Sequence, residues 1–103
     1  MRAYNPPPPP PEQVQKFNQY LEEHNEVLDE NNDWVLIKNS YEKNRLVLWY
    51  KYNARYLIEL DDIALIRLRN IIENNYLESK KMWINADKDK SVPQRLHLHF
   101  KIK

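Results

Sequence analysis

Arg95-Leu96-His97-Leu98-His99-Phe100-Lys101-Ile102-Lys103 is the one stretch of this chain whose residue types and spacing could do chemistry. Read as a strand, it places Arg95, His97, His99, Lys101 and Lys103 on one face and Leu96, Leu98, Phe100 and Ile102 on the core face. Two imidazoles two residues apart on one face can transfer a proton near neutrality, share an anion or bind a metal. A metal would need a third ligand, from His24 or a distant carboxylate. His24 falls on an apolar helical stripe, where a core or interface histidine fits better, so neither a metal nor a cofactor is expected. The plain alternative for His97 and His99 is a polar, solvent-facing side of a half-buried strand.

Most other catalytic vocabulary is absent. The 103 residues contain no glycine and no cysteine. Phosphate-cradling loops and nucleotide fingerprints need glycine where the backbone takes φ > 0 or approaches a ligand closely. Thiol nucleophiles and thiolate metal sites need cysteine. No complete acid/base pair or metal-ligand set remains, which favours a binding protein over an enzyme.

The elements that must position the Arg95–Lys103 strand follow from periodicity. Residues 1–11 form a proline-rich flexible tail, and Pro6, Pro7, Pro8, Pro9, Pro10 and Pro11 favour an extended polyproline rod that can dock in aromatic-lined grooves or act as a spacer. Residues 12–103 form a single α+β domain. The first helix opens at Glu12, with Val14, Phe17, Leu21, His24 and Leu28 as its apolar stripe. Asn31-Asn32-Asp33 ends it. Strands follow at Trp34–Lys38, Arg45–Tyr52 and Arg55–Leu60, the first two as a hairpin. Asp61 or Asp62 caps a second helix carrying Leu65, Leu68, Ile72 and Tyr76. Met82–Ala86 and Arg95–Lys103 complete the order α-β-β-β-α-β-β. The expected fold is one mostly antiparallel four- to five-stranded sheet with both helices on one face. With no glycine available, most of the twelve asparagines (Asn31, Asn32, Asn39, Asn44, Asn53, Asn74, Asn75) serve as turn formers at the boundaries.

The histidine strand resembles a fragment of the histidine-triad motif, in which alternating histidines on a C-terminal strand serve nucleotide hydrolases and scavenger decapping enzymes. Two registers are open. In one, Arg95 stands for the first histidine, and His97 would be the nucleophile. In the other, Lys101 stands for the third, and His99 takes the nucleophile's place. Asn85 is similar to the polar residue that such enzymes place near ribose and phosphate. The resemblance implies attack of an imidazole on phosphorus, a covalent nucleotidyl-histidine and its release by water. Neither Arg95 nor Lys101 can shuttle a proton as the replaced histidine would. The implied site is therefore a degenerate nucleotide hydrolase or a nucleotide-binding protein.

Charge is balanced overall, at +1, but uneven along the chain. Residues 12–33 hold seven acids against Lys16 alone, and residues 80–103 hold seven bases (Lys80, Lys81, Lys88, Lys90, Arg95, Lys101, Lys103) against Asp87 and Asp89. That basic end, with Trp83 and Tyr76 nearby for stacking, offers a footprint for RNA or DNA. The plain reading is two solvated faces that attract each other within or between chains.

The leading expectation is a non-enzymatic protein-interaction or assembly module, a small subunit or adaptor that binds a protein partner or a second copy of itself. The polyproline tail, the acidic helix and Trp34, Trp49 and Trp83 as interface anchors motivate it. No apolar stretch approaches the roughly 18 residues of a membrane span, and the first residues lack the apolar region of a secretory signal. An intracellular setting is the expectation.

Overall fold

A computed structural model describes residues 11–38, 44–52, 54–85 and 95–101. The elements in chain order are helix α1 (Pro11–His24), strands β1 (Glu26–Glu30), β2 (Trp34–Lys38) and β3 (Arg45–Tyr50), a 3-10 turn at Leu57–Glu59, helix α2 (Asp62–Asn74), and strands β4 (Lys81–Trp83) and β5 (His97–Lys101). The domain is α+β, with two helices and one five-stranded antiparallel sheet in the order β1-β2-β3-β5-β4.

The letter order matches the expectation, but one of its strands lies elsewhere. The first helix stops at His24: the Asn25 N–H makes a last helical bond to the Leu21 carbonyl, and the Asn25 side-chain amide caps the same oxygen, each at 3.1 Å. Glu26–Glu30 then pairs with β2, and Leu28 falls at a bulge between Val27 and Asp29 instead of on a helical stripe. Asn31 builds the hairpin turn: its Oδ1 accepts from the backbone N–H of Asp33 (3.0 Å) and Trp34 (2.9 Å). Conversely, Arg55–Leu60 is not a strand. The Glu59 carboxylate takes the Arg55 N–H at 2.8 Å, and Leu57 and Leu60, three apart, pack on the core while Ile58 between them stands exposed. Just before this segment, Ala54 makes an isolated backbone bridge to Arg95. Asp61 caps α2, accepting from the Ala64 N–H at 2.8 Å.

The helices flank the sheet instead of sharing one of its faces. On one face, Trp34, Leu36, Leu46, Leu48, Leu96, Leu98 and Phe100 pack with Leu68, Ile71 and Leu77 of α2 and the chain after it. On the other, Val35, Ile37, Val47 and Trp49 pack with Leu21, Phe17 and Val27. The cause lies in the continuous apolar runs Trp34–Ile37 and Leu46–Trp49, buried at every position. Such runs belong to strands covered on both sides, whereas strict alternation marks strands with one wet side. Among the described residues, no helix is long and apolar enough to cross a membrane.

Candidate functional site

Cross-strand register assembles the site. Arg45 of β3 pairs with Lys101 of β5, which pairs on its other side with Lys81 of β4. Paired residues share a face, so three cations from three strands stand in one row. The next row is Val47, His99 and Trp83, and the one after it sets Trp49 beside His97. All lie on the α1 side of the sheet. Asn44, Arg45, Lys81, Trp83 and Lys101 line an open pocket of about 430 Å³. The Arg45 guanidinium carbon sits 5.1 Å over the Trp83 ring, a cation–π pair forming one wall. Like charges directly opposite one another destabilise a sheet, and an anion in the pocket would offset the repulsion between Lys81 and Lys101.

Away from that mouth, β5 carries a ladder of polar groups into the interior. His99 stacks on Trp83 at 5.3 Å and meets Asn85, its Nε2 lying 3.3 Å from the amide nitrogen. His97 stacks on Trp49 at 4.1 Å, with its Nδ1 2.9 Å from the Arg95 carbonyl oxygen. Arg95 lies over the Phe17 ring of α1 at 4.6 Å, and its Nη2 donates to Asn18 Oδ1 (2.7 Å) and the Tyr50 carbonyl (2.9 Å).

This face was expected to meet solvent, and it does not. Arg95, His97 and His99 are buried at 2%, 3% and 6% exposure, because α1 lies over the inner end of the ladder and Trp49 and Trp83 cover the imidazoles. Burial, then the neighbouring His97 and Arg45, lowers His99 from 6.5 to about 4, so its ring is neutral at pH 7. Burial lowers the Arg95 guanidinium to about 10. The Nε and Nη1 of Arg95, the Nε1 of Trp49 and the Nδ1 of His99 have no hydrogen-bond partner among the described residues. An unmatched buried donor costs about 1–3 kcal/mol, more when charged.

The other expected site residues divide. Trp83, Lys81 and Lys101 reach the pocket, and Lys80 is exposed beside it. Trp34 and Trp49 are buried in the cores on opposite faces: Trp34 is fully enclosed, its Nε1 donating to the Ala64 carbonyl at 2.9 Å. His24 is exposed rather than packed, stacking on Tyr20 and bonding its carbonyl oxygen at 3.0 Å. Of the polyproline tail only Pro11 is described, as the first residue of α1. Pro6 to Pro10, Lys88, Lys90 and Lys103 lie outside the described residues. Among the described residues, no group of three or more metal-ligating side chains is close enough to hold an ion. Sequence reasoning missed Arg45 and Asn44 as pocket residues. Alternation puts Arg45 on the Val47–Trp49 face, but only the strand register brings it opposite Lys101.

No family model matches the sequence, and no curated protein does. Among solved structures, the chain is similar to a Hit-like protein involved in cell-cycle regulation from Bartonella henselae, whose crystal structure holds an unknown ligand. The TM-score is 0.56 at 12% identity, over 84% of this chain and 74% of that one. The likeness is one of fold.

Proposed function

We propose that the domain binds a phosphate-bearing ligand with a planar ring, the nucleotide class, in the pocket between β3, β5 and β4, and that it binds without cleaving. The carrying observation is the row Arg45, Lys101 and Lys81 beside Trp83. Lys81 and Lys101 supply charge for a phosphate, and the planar Arg45–Trp83 pair supplies a surface for a base. The likeness in fold to a Hit-like protein supports this direction, since the resemblance of the β5 strand implies nucleotides.

The state of the histidines supports binding over hydrolysis. A histidine that attacks phosphorus must reach the substrate and, after transfer, the chain must supply a proton shuttle near neutrality. His97 lies beneath Trp49, and His99, with its proton affinity depressed to about 4, lies against Trp83. Titration of adenosine monophosphate should therefore show binding that the double variant Lys81→Glu/Lys101→Glu weakens at least about tenfold, a loss of roughly 1.4 kcal/mol. Unchanged affinity in that variant would remove the pocket from consideration. Dinucleoside polyphosphates and nucleoside phosphoramidates should survive prolonged incubation. Turnover that disappears in His99→Ala would overturn the non-hydrolytic part.

A protein-interaction role has its own support, at a place the sequence did not suggest. Ile58, Ile63 and Ile66 are exposed at 79%, 58% and 58%, at the start of α2 and just before it. Clustered exposed aliphatics of this kind favour a contact surface. A light-scattering mass that stays monomeric at every concentration would argue against self-association there.

A further inference from the structure

Arg95 is the least satisfied group in the described fold. A guanidinium carries five N–H donors. Here Nη2 reaches Asn18 and Tyr50, while Nε and Nη1 reach nothing. Among the described residues Arg95 has no carboxylate partner, although Lys51 and Arg67 have theirs in Glu30 and Asp33. An arginine that is 2% exposed with no counter-charge is costly, and isosteric apolar side chains usually serve a fold better. The unmatched Trp49 Nε1 lies on the same face, below the same helix.

What covers them is lightly attached. Helix α1 buries only Val14 and Leu21 fully, with Phe17 partly buried. Among the described residues its side-chain hydrogen bonds to the sheet side come from the amide of Asn18, which donates to the Lys51 carbonyl at 3.0 Å and offers its oxygen to Arg95. An amide oxygen is a weak, neutral acceptor standing where a guanidinium would take a full negative charge.

We propose that Arg95 is the receptor for a phosphate-type oxyanion that enters between α1 and the sheet, with α1 acting as a removable cover and Asn18 as the group the anion displaces. The inference is independent of the pocket reading, because the residues differ. Arg95 lies two residues before β5 and six before Lys101 at its far end, up to about 20 Å at strand rise. The guanidinium fork suits phosphate, which it can bind through two parallel N–H···O bonds. Trp49, whose ring packs edge-on against Phe17 of the cover, carries a second unmatched donor.

The test uses the full chain and inorganic phosphate and pyrophosphate as probes, at constant ionic strength. Leu21→Ala loosens α1, so it should raise the apparent affinity about tenfold, because a larger share of molecules is open to the ion. Arg95→Met in that background should abolish binding, and hydrogen exchange of the α1 amides should quicken when the ion is present. Equal affinity in wild type and Leu21→Ala would overturn the cover, and binding that survives Arg95→Met would overturn the receptor. Should Arg95→Met not fold, Arg95→Lys keeps the charge but not the fork. Binding undiminished by that change overturns the inference, as does a Trp49 indole N–H resonance unmoved by phosphate. Loss of binding in Lys81→Ala/Lys101→Ala but not in Arg95→Met would put the ion in the open pocket, sinking this proposal and leaving the pocket reading intact. Adenosine monophosphate titrated beside inorganic phosphate identifies the source: tighter Arg95-dependent binding of the nucleotide points to a phosphate carried in by a larger ligand, and tighter binding of the inorganic ion to the free anion.

Discussion

The two faces of the sheet are built to different standards. The α2 face has an apolar core, and polar groups beside it are matched: the Trp34 indole donates to the Ala64 carbonyl, and Arg67 donates to Asp33. The α1 face mixes Val35, Ile37 and Val47 with Arg95, His97, His99 and a Trp49 indole, and several of their donors are unmatched. A face selected only to fold would resemble the first. Polar groups retained at a cost on the second are the physical reason for placing function there, as consistency between levels is expected to fail at sites of function.

The largest test of that comparison removes one buried side chain from each face. Phe100→Ala empties the α2-side core and should cost about 3–5 kcal/mol, near the whole stability of a small domain. Leu21→Ala should cost less, about 2 kcal/mol, because α1 meets the sheet through few side chains and can settle into the space. Urea melts of both variants decide it. Equal losses would make the α1 face as structural as the other and remove the argument for a movable cover.

A smaller effect comes from pH. Unfolded, His99 titrates near 6.5; folded, near 4, depressed by burial, His97 and Arg45. Between these values the unfolded chain binds more protons, so stability rises with pH across the window. The contribution of the neutral ring is complete above about 6.5 and is lost as pH falls toward 4, at most about 3 kcal/mol. His99→Phe keeps a ring against Trp83 and has nothing to protonate, so its melting temperature should fall less between pH 6.5 and 4 than that of the wild type. Parallel curves for the two proteins would mean that His99 is not held neutral, and the contrast between the faces would lose its electrostatic side.

How much of this was legible in the sequence differs between the faces too. The α2 face was: Leu96, Leu98 and Phe100 alternate, Asp61 announces its helix, and Leu46 and Leu48 pair where the hairpin puts them. Alternation on β5 also separated the histidines from the leucines correctly, but it assigns residues to faces without saying what covers a face. The clue lay in Val35-Leu36-Ile37 and Leu46-Val47-Leu48-Trp49, unbroken apolar runs that leave no side for water. The charged row at the pocket was hidden for another reason. Arg45, Lys101 and Lys81 are distant in sequence, and their meeting depends on two registers, the β4–β5 pairing and the long return that sets β5 beside β3. The swap of Glu26–Glu30 for Arg55–Leu60 as a strand came from single side chains, the Asn25 amide and the Glu59 carboxylate, overriding periodicity.

The smallest expected effect concerns the α2 side, and it limits how favourable that side is. Helix α2 ends with the Tyr76 N–H donating to the Glu73 carbonyl (3.2 Å) and the Leu77 N–H to the Ile72 carbonyl (2.9 Å), the paired bonds of a Schellman cap. That cap needs a left-handed residue, and Tyr76 takes it at φ 55, where glycine would sit without steric cost. The exposed Tyr76 ring does not compensate by packing, whereas Leu77 behind it is buried in the core. Tyr76→Gly should therefore stabilise the fold by up to about 1 kcal/mol, seen as a higher midpoint in urea with an unchanged slope. A destabilised variant would mean that the tyrosine ring contributes something the backbone does not show. A stabilised one would sharpen the comparison: the α2 face would carry its residual strain in one backbone position that a single substitution relieves. The cost on the α1 face sits in side chains that a substitution would remove together with their chemistry.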